Sequence, residues 1–353
     1  MKKLKKNTVR NIVTYAMVVI AFVICQAMLN AGAMSRAFKG QLIPICVYIV
    51  MAVSLNLTVG ISGELSLGHA GFMSVGVFSG VVFSTWLNSA FGIDNEIVRL
   101  LLSIVVGGIF AGIAGLIIGI PVLRLRGDYL AIVTLAFGEI IRNVLNCIYI
   151  SVEGKAVHFG FNNSSLAGDM VLKGPAGSVG VDRISTFGMG FALVMFTLFV
   201  VLNLINSRSG RAIMASRDNR IAAESMGVNV TKYKMMAFVT SAVLAGMAGA
   251  LYGLNFSSVS AAKFKFDTSI LVLVFVVLGG IGNIRGSIIA AALLTVLPEL
   301  LRAFSDYRML VYAIVLILVM LASNNPTLRA LLERITPKKK TDMDKTIQKG
   351  GAA

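Results

Sequence analysis

Few side chains in this 353-residue sequence could do chemistry, and their spacing argues against catalysis. Glu139 and Arg142 lie in one apolar run, three residues apart, so a helix puts them on one face. A lone charge in hydrocarbon costs several kcal/mol, which favours a mutual ion pair or a pair lining a polar pathway. The stretch GISGELSLGHAG, residues 60–71, holds Gly63, Glu64, Ser66 and His69 between two apolar runs. Irregular polar backbone at membrane depth survives where protein buries it or where it lines water. It reads either as an ordinary short connection or as a break flanking a transport pathway, and its lack of Lys and Arg favours the break. His69 and His158 stand apart from any other metal-type ligand, and Cys25, Cys46 and Cys147 form no CxxC. GGIGNIRG at 279–286 lacks the lysine of a phosphate loop. Neither a metal nor an organic cofactor is expected, and ATP hydrolysis is not expected from this chain.

Hydrophobic residues make up 57% of the chain and charged residues 14%. Mean hydropathy is +0.84. Several apolar runs reach the roughly 20 residues that cross about 30 Å of hydrocarbon. Spanning segments must satisfy their own backbone, so the fold class is an all-α polytopic membrane protein. About ten transmembrane helices are expected, near 12–29, 41–59, 70–88, 99–120, 128–149, 188–205, 236–256, 268–282, 284–301 and 308–322. The net charge of +16 does not indicate nucleic acid, because most Lys and Arg fall in segments that this count puts on one side. The positive-inside rule then places both termini in the cytoplasm. The basic start, residues 1–11, resembles a signal peptide, but the apolar run after it exceeds the usual signal core, so it reads as an uncleaved first span. Residues 12–322 form the membrane domain and 323–353 a polar, basic cytoplasmic tail.

Two connections stand out. Residues 150–187 form the longest outer segment, rich in Gly, Asn and Ser, and suit a solvated link or a platform for an external partner. Residues 206–235, NSRSGRAIMASRDNRIAAESMGVNVTKYKM, form a basic island on the inner side. Within it Asp218 to Gly227 reads as a short helix ended by glycine, which gains little in a membrane chain unless something grips it. Small residues at Gly108 and Gly112, Gly115 and Gly119, Gly249 and Gly253, and Gly282 and Gly286 suit close helix packing, within the chain or between subunits.

Four ordered motifs carry a family resemblance. They are LNLTVGISGELSLGHAGFMSVGVF at 55–78, LRLRGDYLAIVTLAFGEIIRNVLNC at 123–147, NSRSGRAIMASRDNRIAAESMGVNVTKYKMMAFVTSAVLAGMAGALYG at 206–253 and VFVVLGGIGNIRGSIIAAALL at 274–294. Together they resemble the LivM-type permease subunits of branched-chain amino acid ABC importers. The resemblance implies a type II ABC importer permease fold, multi-pass in a prokaryotic cytoplasmic membrane. It implies a heterodimer with a second homologous permease, two cytoplasmic ATPase subunits, an external substrate-binding protein and contact with membrane lipid. On that resemblance residues 206–235 are the coupling loop and Arg217, Asp218, Arg220, Ala222, Ala223, Glu224 and Gly227 meet the ATPase. Ala222 and Ala223 would supply close packing, Arg220 and Glu224 polar contacts, and Gly227 the turn. Gly63, Glu64, Ser66, His69, Glu139 and Arg142 are the pathway candidates.

The sequence departs from the family's pattern in three places. Ile221 stands where the general importer loop carries Glu, Glu64 stands where relatives often carry Gln, and ASNNPTLRALLERI after Leu321 lacks an Arg-Pro-x-Gly-Leu ending. Two other classes compete: permeases for urea, amides or sugars, and an ion-coupled secondary transporter using Glu64, Glu139 and Arg142. A membrane scaffold would leave the 218–227 helix without a purpose.

Overall fold

The computed structural model describes residues 6–32, 34–125, 128–161 and 168–301, with a few positions between 307 and 317. Two compact units divide the chain, residues 1–299 and 300–353, and most of the second lies outside the described residues. The first unit is a helical bundle of α1 (Lys6–Asn30), α2 (Arg36–Asn56), α3 (His69–Phe91), α4 (Glu96–Val122), α5 (Asp128–Cys147) and α6 (Phe187–Asn206). It continues with α7 (Arg208–Asp218), α8 (Arg220–Ser225), α9 (Val230–Gly253), α10 (Phe266–Gly279) and α11 (Ile284–Leu300).

Helix boundaries follow local chemistry. Ser35, Asn95, Thr186, Ser207, Asn219 and Asn229 each cap a helix by accepting from a backbone N–H in its first turn. Gly92 ends α3 in the left-handed region at φ 58°.

The core forms around α9, whose packed face carries many Ala, Gly and Ser residues, with Phe238, Leu244 and Leu251 set among them. Three of the four expected glycine pairs lie inside this packing, while Gly282 and Gly286 meet Gly60 and Gly279 instead. A Cβ on Gly108, Gly112 or Gly115 would sit 2.7 Å from Met247, Val243 or Ala242 on α9, and one on Gly119 would strike Met235. Gly249 leaves room for the Met73 carbonyl of α3. The three cysteines are free thiols without a ligand cluster among the described residues.

Seven helices are long and apolar enough to cross a membrane: α1 to α6 and α9. This is a multi-pass membrane protein. Three of the ten expected spans are not among these seven. Helix α10 runs for 14 residues, near 21 Å at 1.5 Å per residue, and stops short of the bilayer thickness. Helix α11 holds 17 residues. The expected 308–322 span and the tail 323–353 lie mostly or wholly outside the described residues.

The 150–187 connection departs from the all-α expectation. It folds into an antiparallel sheet of order β2-β1-β3-β4-β5, from β1 (Tyr149–Glu153), β2 (Ala156–Gly160), β3 (Asp169–Lys173), β4 (Ser178–Val179) and β5 (Ser258–Val259). Ile150, Val152, Val171 and Leu172 are buried in the core beneath it. Trp86 Nε1 donates to the Lys155 carbonyl at 3.0 Å, and Arg99 of α4 bridges to Asp182 at 2.8 Å. Strand β5 follows α9 and α8 precedes it, so about 36 Å of helix separates sheet and α8 at opposite ends of the bundle.

Candidate functional site

The break after α2 is where several elements meet. Leu57–Ile61 form a π-helical turn, buried throughout, and the chain then runs non-helically to α3. Such turns recur at functional positions because one extra residue frees backbone groups from the regular ladder. Asn56, fully buried, accepts from Gly282 N–H at 2.9 Å and donates to Ser287 Oγ at 2.8 Å, which ties the turn to the α10–α11 loop. Gly60 packs on Gly282 so closely that a Cβ would overlap the Gly282 backbone.

The remainder of the break is held by side chains from four helices. Thr134 Oγ1 of α5 accepts from Leu67 N–H at 3.1 Å, and Ser269 Oγ of α10 accepts from Ala70 N–H at 3.1 Å. His69 is buried, with Nε2 2.8 Å from Ser54 Oγ. Because that hydroxyl donates its one proton to the Met51 carbonyl at 2.9 Å, we assign the His69 proton to Nε2, donating to Ser54. Ser241 Oγ of α9 in turn donates to the Ser54 carbonyl at 2.6 Å. Ser62 and Ser66 hydroxyls are buried with no partner among the described residues, an uncommon arrangement that marks a special segment.

Helices α7 and α8 leave the bundle as a hook. Asn219 is extended, at φ −154°, and its side chain accepts from Ala222 N–H at 3.0 Å. The short helix therefore starts at Arg220 rather than Asp218, because Asn219 competes with the backbone as a cap. Asp218 belongs to the end of α7. Gly227, at φ 80°, closes α8: its N–H donates to Glu224 O at 3.0 Å and Val228 N–H donates to Ala223 O at 3.0 Å. Arg220 and Glu224 pair at 2.9 Å across one turn. Ala223 turns inward at 6% exposure, whereas Ala222 faces solvent. Ile221 and Met226 stand 77% and 83% exposed, an apolar pair that none of the described residues covers.

Hook and break are clamped at two points. Arg217 Nη1 donates to the Gly60 carbonyl at 2.7 Å, and its Nε and Nη2 reach Asp218 Oδ1 at 3.1 and 3.0 Å. Its stem lies against Gly63, whose φ of 74° and lack of a Cβ permit that approach. On the other flank Lys234 of α9 forms an ion pair with Glu64, with side chains 12% and 14% exposed. Helix α8 is thus bracketed by Arg217 and Lys234, which both grip residues 60–64. Of the expected ATPase-contact residues, Arg217 commits its guanidinium to this grip while its side chain stays 38% exposed, and Ala223 is the buried one. Lys234 escaped attention in the sequence because nothing local links it to Glu64, 170 positions away.

Glu139 and Arg142 do pair, with Arg142 Nη2 2.7 Å from Glu139 Oε2. Glu139 also lines a small crevice with Leu67, Gly71, Lys265 and Ser269, beside the break. Gly63, Glu64, Ser66 and His69 all belong to the break, and the Glu139–Arg142 pair flanks it on α5.

Residues 38–320 match the family described as branched-chain amino acid transport system / permease component. The chain belongs to that family. It is 34% identical over 309 residues to the high-affinity branched-chain amino acid transport system permease protein LivM of Salmonella typhimurium, and equally so to that of Escherichia coli K12. Each alignment covers 78% of this chain and 66% of the relative, so the chain spans just under two thirds of their length. It is also 27% identical over 287 residues to the ribose import permease protein RbsC of Escherichia coli K12, covering 78% of this chain and 81% of that one. No solved structure matches.

Proposed function

We propose that this chain is the non-catalytic permease subunit of an ATP-binding-cassette importer for branched-chain or related amino acids. It forms half of a translocation pathway beside a second, homologous permease. Two cytoplasmic ATPase subunits drive it, and an external binding protein delivers substrate. The family match over 38–320 carries this reading, supported by the two LivM relatives at 34% identity. On it, residues 12–322 form the permease domain with ten spans in a prokaryotic cytoplasmic membrane, and both basic termini, 1–11 and 323–353, face the cytoplasm.

Helix α8 then enters a groove on an ATPase, with Ile221 and Met226 as apolar anchors rimmed by Arg220, Glu224 and Asp218. When the ATPases close on ATP, α8 is displaced. Arg217 and Lys234 carry that displacement to Gly60 and Glu64, where the buried π turn and the Gly282 loop shift together. The break borders the pathway and opens it to one side, then the other. The sheet at the far end receives the binding protein.

Reconstitution into liposomes tests this. With the partner subunits, ATP and a binding protein, leucine should accumulate; without the ATPases, uptake should be absent. Uptake by the chain alone down an ion gradient would make it a secondary transporter and overturn the reading. The ribose permease relative favours a second solute class, a small sugar. Competition between leucine and ribose for the partner binding protein decides between them.

A further inference from the structure

Two hollows share the same three helices. A polar cavity of about 370 Å³ opens between α1, α6 and the start of α11, at the end of the bundle that carries α7. It could hold roughly a dozen waters at about 30 Å³ each. Asn11, Thr14, Asn206, Asn283, Arg217 and Arg285 supply its polar wall, with no carboxylate among the described lining residues and Arg217 already paired with Asp218 just outside it. Arg285 Nε donates to Thr14 Oγ1 at 2.7 Å, so the guanidinium is anchored beside α1. A second, apolar hollow of about 340 Å³ lies along α1, α2, α6 and α11.

The two lie one after the other along the same faces of α1 and α11. On α1 the spacing Thr14, Val18, Ala21, Cys25 keeps one face turned to the hollows, the first residue in the polar cavity and the rest in the apolar groove. On α11 the spacing Arg285, Ile288, Ala292, Val296 does the same. From Met17 to Cys25 the groove runs about 12 Å, most of one leaflet of a 30 Å hydrocarbon layer. Helix α1 is also the least covered of the spans, with 11% of its window buried.

We propose that this bipartite site binds one anionic glycerophospholipid, with its phosphate in the Arg285 cavity and an acyl chain along the α1–α11 groove. Basic recesses between membrane helices take anionic headgroups by charge, and the apolar groove supplies the chain's counterpart. The groove fits the upper part of one acyl chain, and because Asp218 offsets Arg217 while Arg285 adds a further positive charge, the wall suits a phosphodiester better than a neutral or zwitterionic head.

Native mass spectrometry tests this on the full chain extracted with its companion subunits in mild detergent. Phosphatidylglycerol and phosphatidylcholine are offered at equal concentration. One phosphatidylglycerol should stay bound per chain, at least tenfold in excess of phosphatidylcholine. Arg285→Gln and Ala292→Phe should each lower retention at least tenfold. Ala292→Phe fills the groove without removing a hydrogen bond, so it keeps the test intact if Arg285→Gln misfolds. Millimolar inorganic phosphate should leave the lipid in place; displacement would show a soluble-anion pocket and overturn the proposal. Equal retention of both lipids, or wild-type retention in Ala292→Phe, would overturn it too. A cysteine at Ala21 should crosslink to a photoactivatable acyl chain; crosslinking to a companion subunit instead would give the groove to protein. None of these readouts depends on transport.

Discussion

Replacing Glu64 with Lys would set two ammonium groups face to face where an ion pair now stands, with side chains 14% and 12% exposed. At about 4 Å and an effective dielectric near 20, the Coulomb term is about 4 kcal/mol of repulsion in place of a similar attraction. Desolvation offsets part of the native attraction, so the net change is smaller than the sum of those two figures. Even about 3 kcal/mol is a factor of more than a hundred in the population holding the contact closed. The break would then separate from α9 while α8 keeps its own caps and pairing. ATP hydrolysis by the assembled importer should continue, whereas solute uptake per ATP should fall at least tenfold at equal membrane abundance. The charge-reversed double variant, Glu64→Lys with Lys234→Glu, should recover uptake to within a few fold of wild type. A double variant no better than the single one, or a single variant that transports normally, would show that the pair does not carry motion.

Three further perturbations have defined outcomes. Gly227→Val forces a β-branched residue to φ 80° at a cost of about 1–3 kcal/mol, so uptake should drop while membrane insertion is unchanged; Gly227→Asn should be milder in the same uptake assay. Asn56→Leu leaves the Gly282 N–H and Ser287 hydroxyl without their buried partner, a loss of about 2–3 kcal/mol that should appear as a lower melting temperature of the purified protein. A cysteine at Asp218, which is exposed, should react with membrane-impermeant reagents only from the cytoplasmic side and crosslink to an ATPase subunit; labelling from outside would invert the proposed orientation.

Long apolar helices were readable because hydrocarbon dictates both their length and composition. Segments 41–59, 70–88, 99–120 and 236–256 lie within α2 and its π turn, α3, α4 and the α9 region nearly as expected. The sheet was not readable. Its strands are two to five residues long, and β5 joins from 81 positions away through Ser178 and Val259, so no local period reveals it. The hook was legible in outline because its cap and its glycine are local signals, although Asn219 moved its start. The clamp was invisible, since Arg217 meets Gly60 and Lys234 meets Glu64 only after the bundle has assembled. Exposed Ile221 and Met226 had a faint signal, being apolar residues inside a basic island.

Helix α9 touches both faces of the protein: its first turns hold Lys234, and its far end leads into β5 beneath the sheet. More than half of its packed face is alanine and glycine, whose short or absent side chains give little under strain. Such a shaft behaves like a lever with little slack. A tilt of about 5° about its midpoint would swing each tip by roughly 1.6 Å over its 36 Å length. Opening at one membrane surface and closing at the other would then be two ends of the same stroke, with no relay between them to lag or slip.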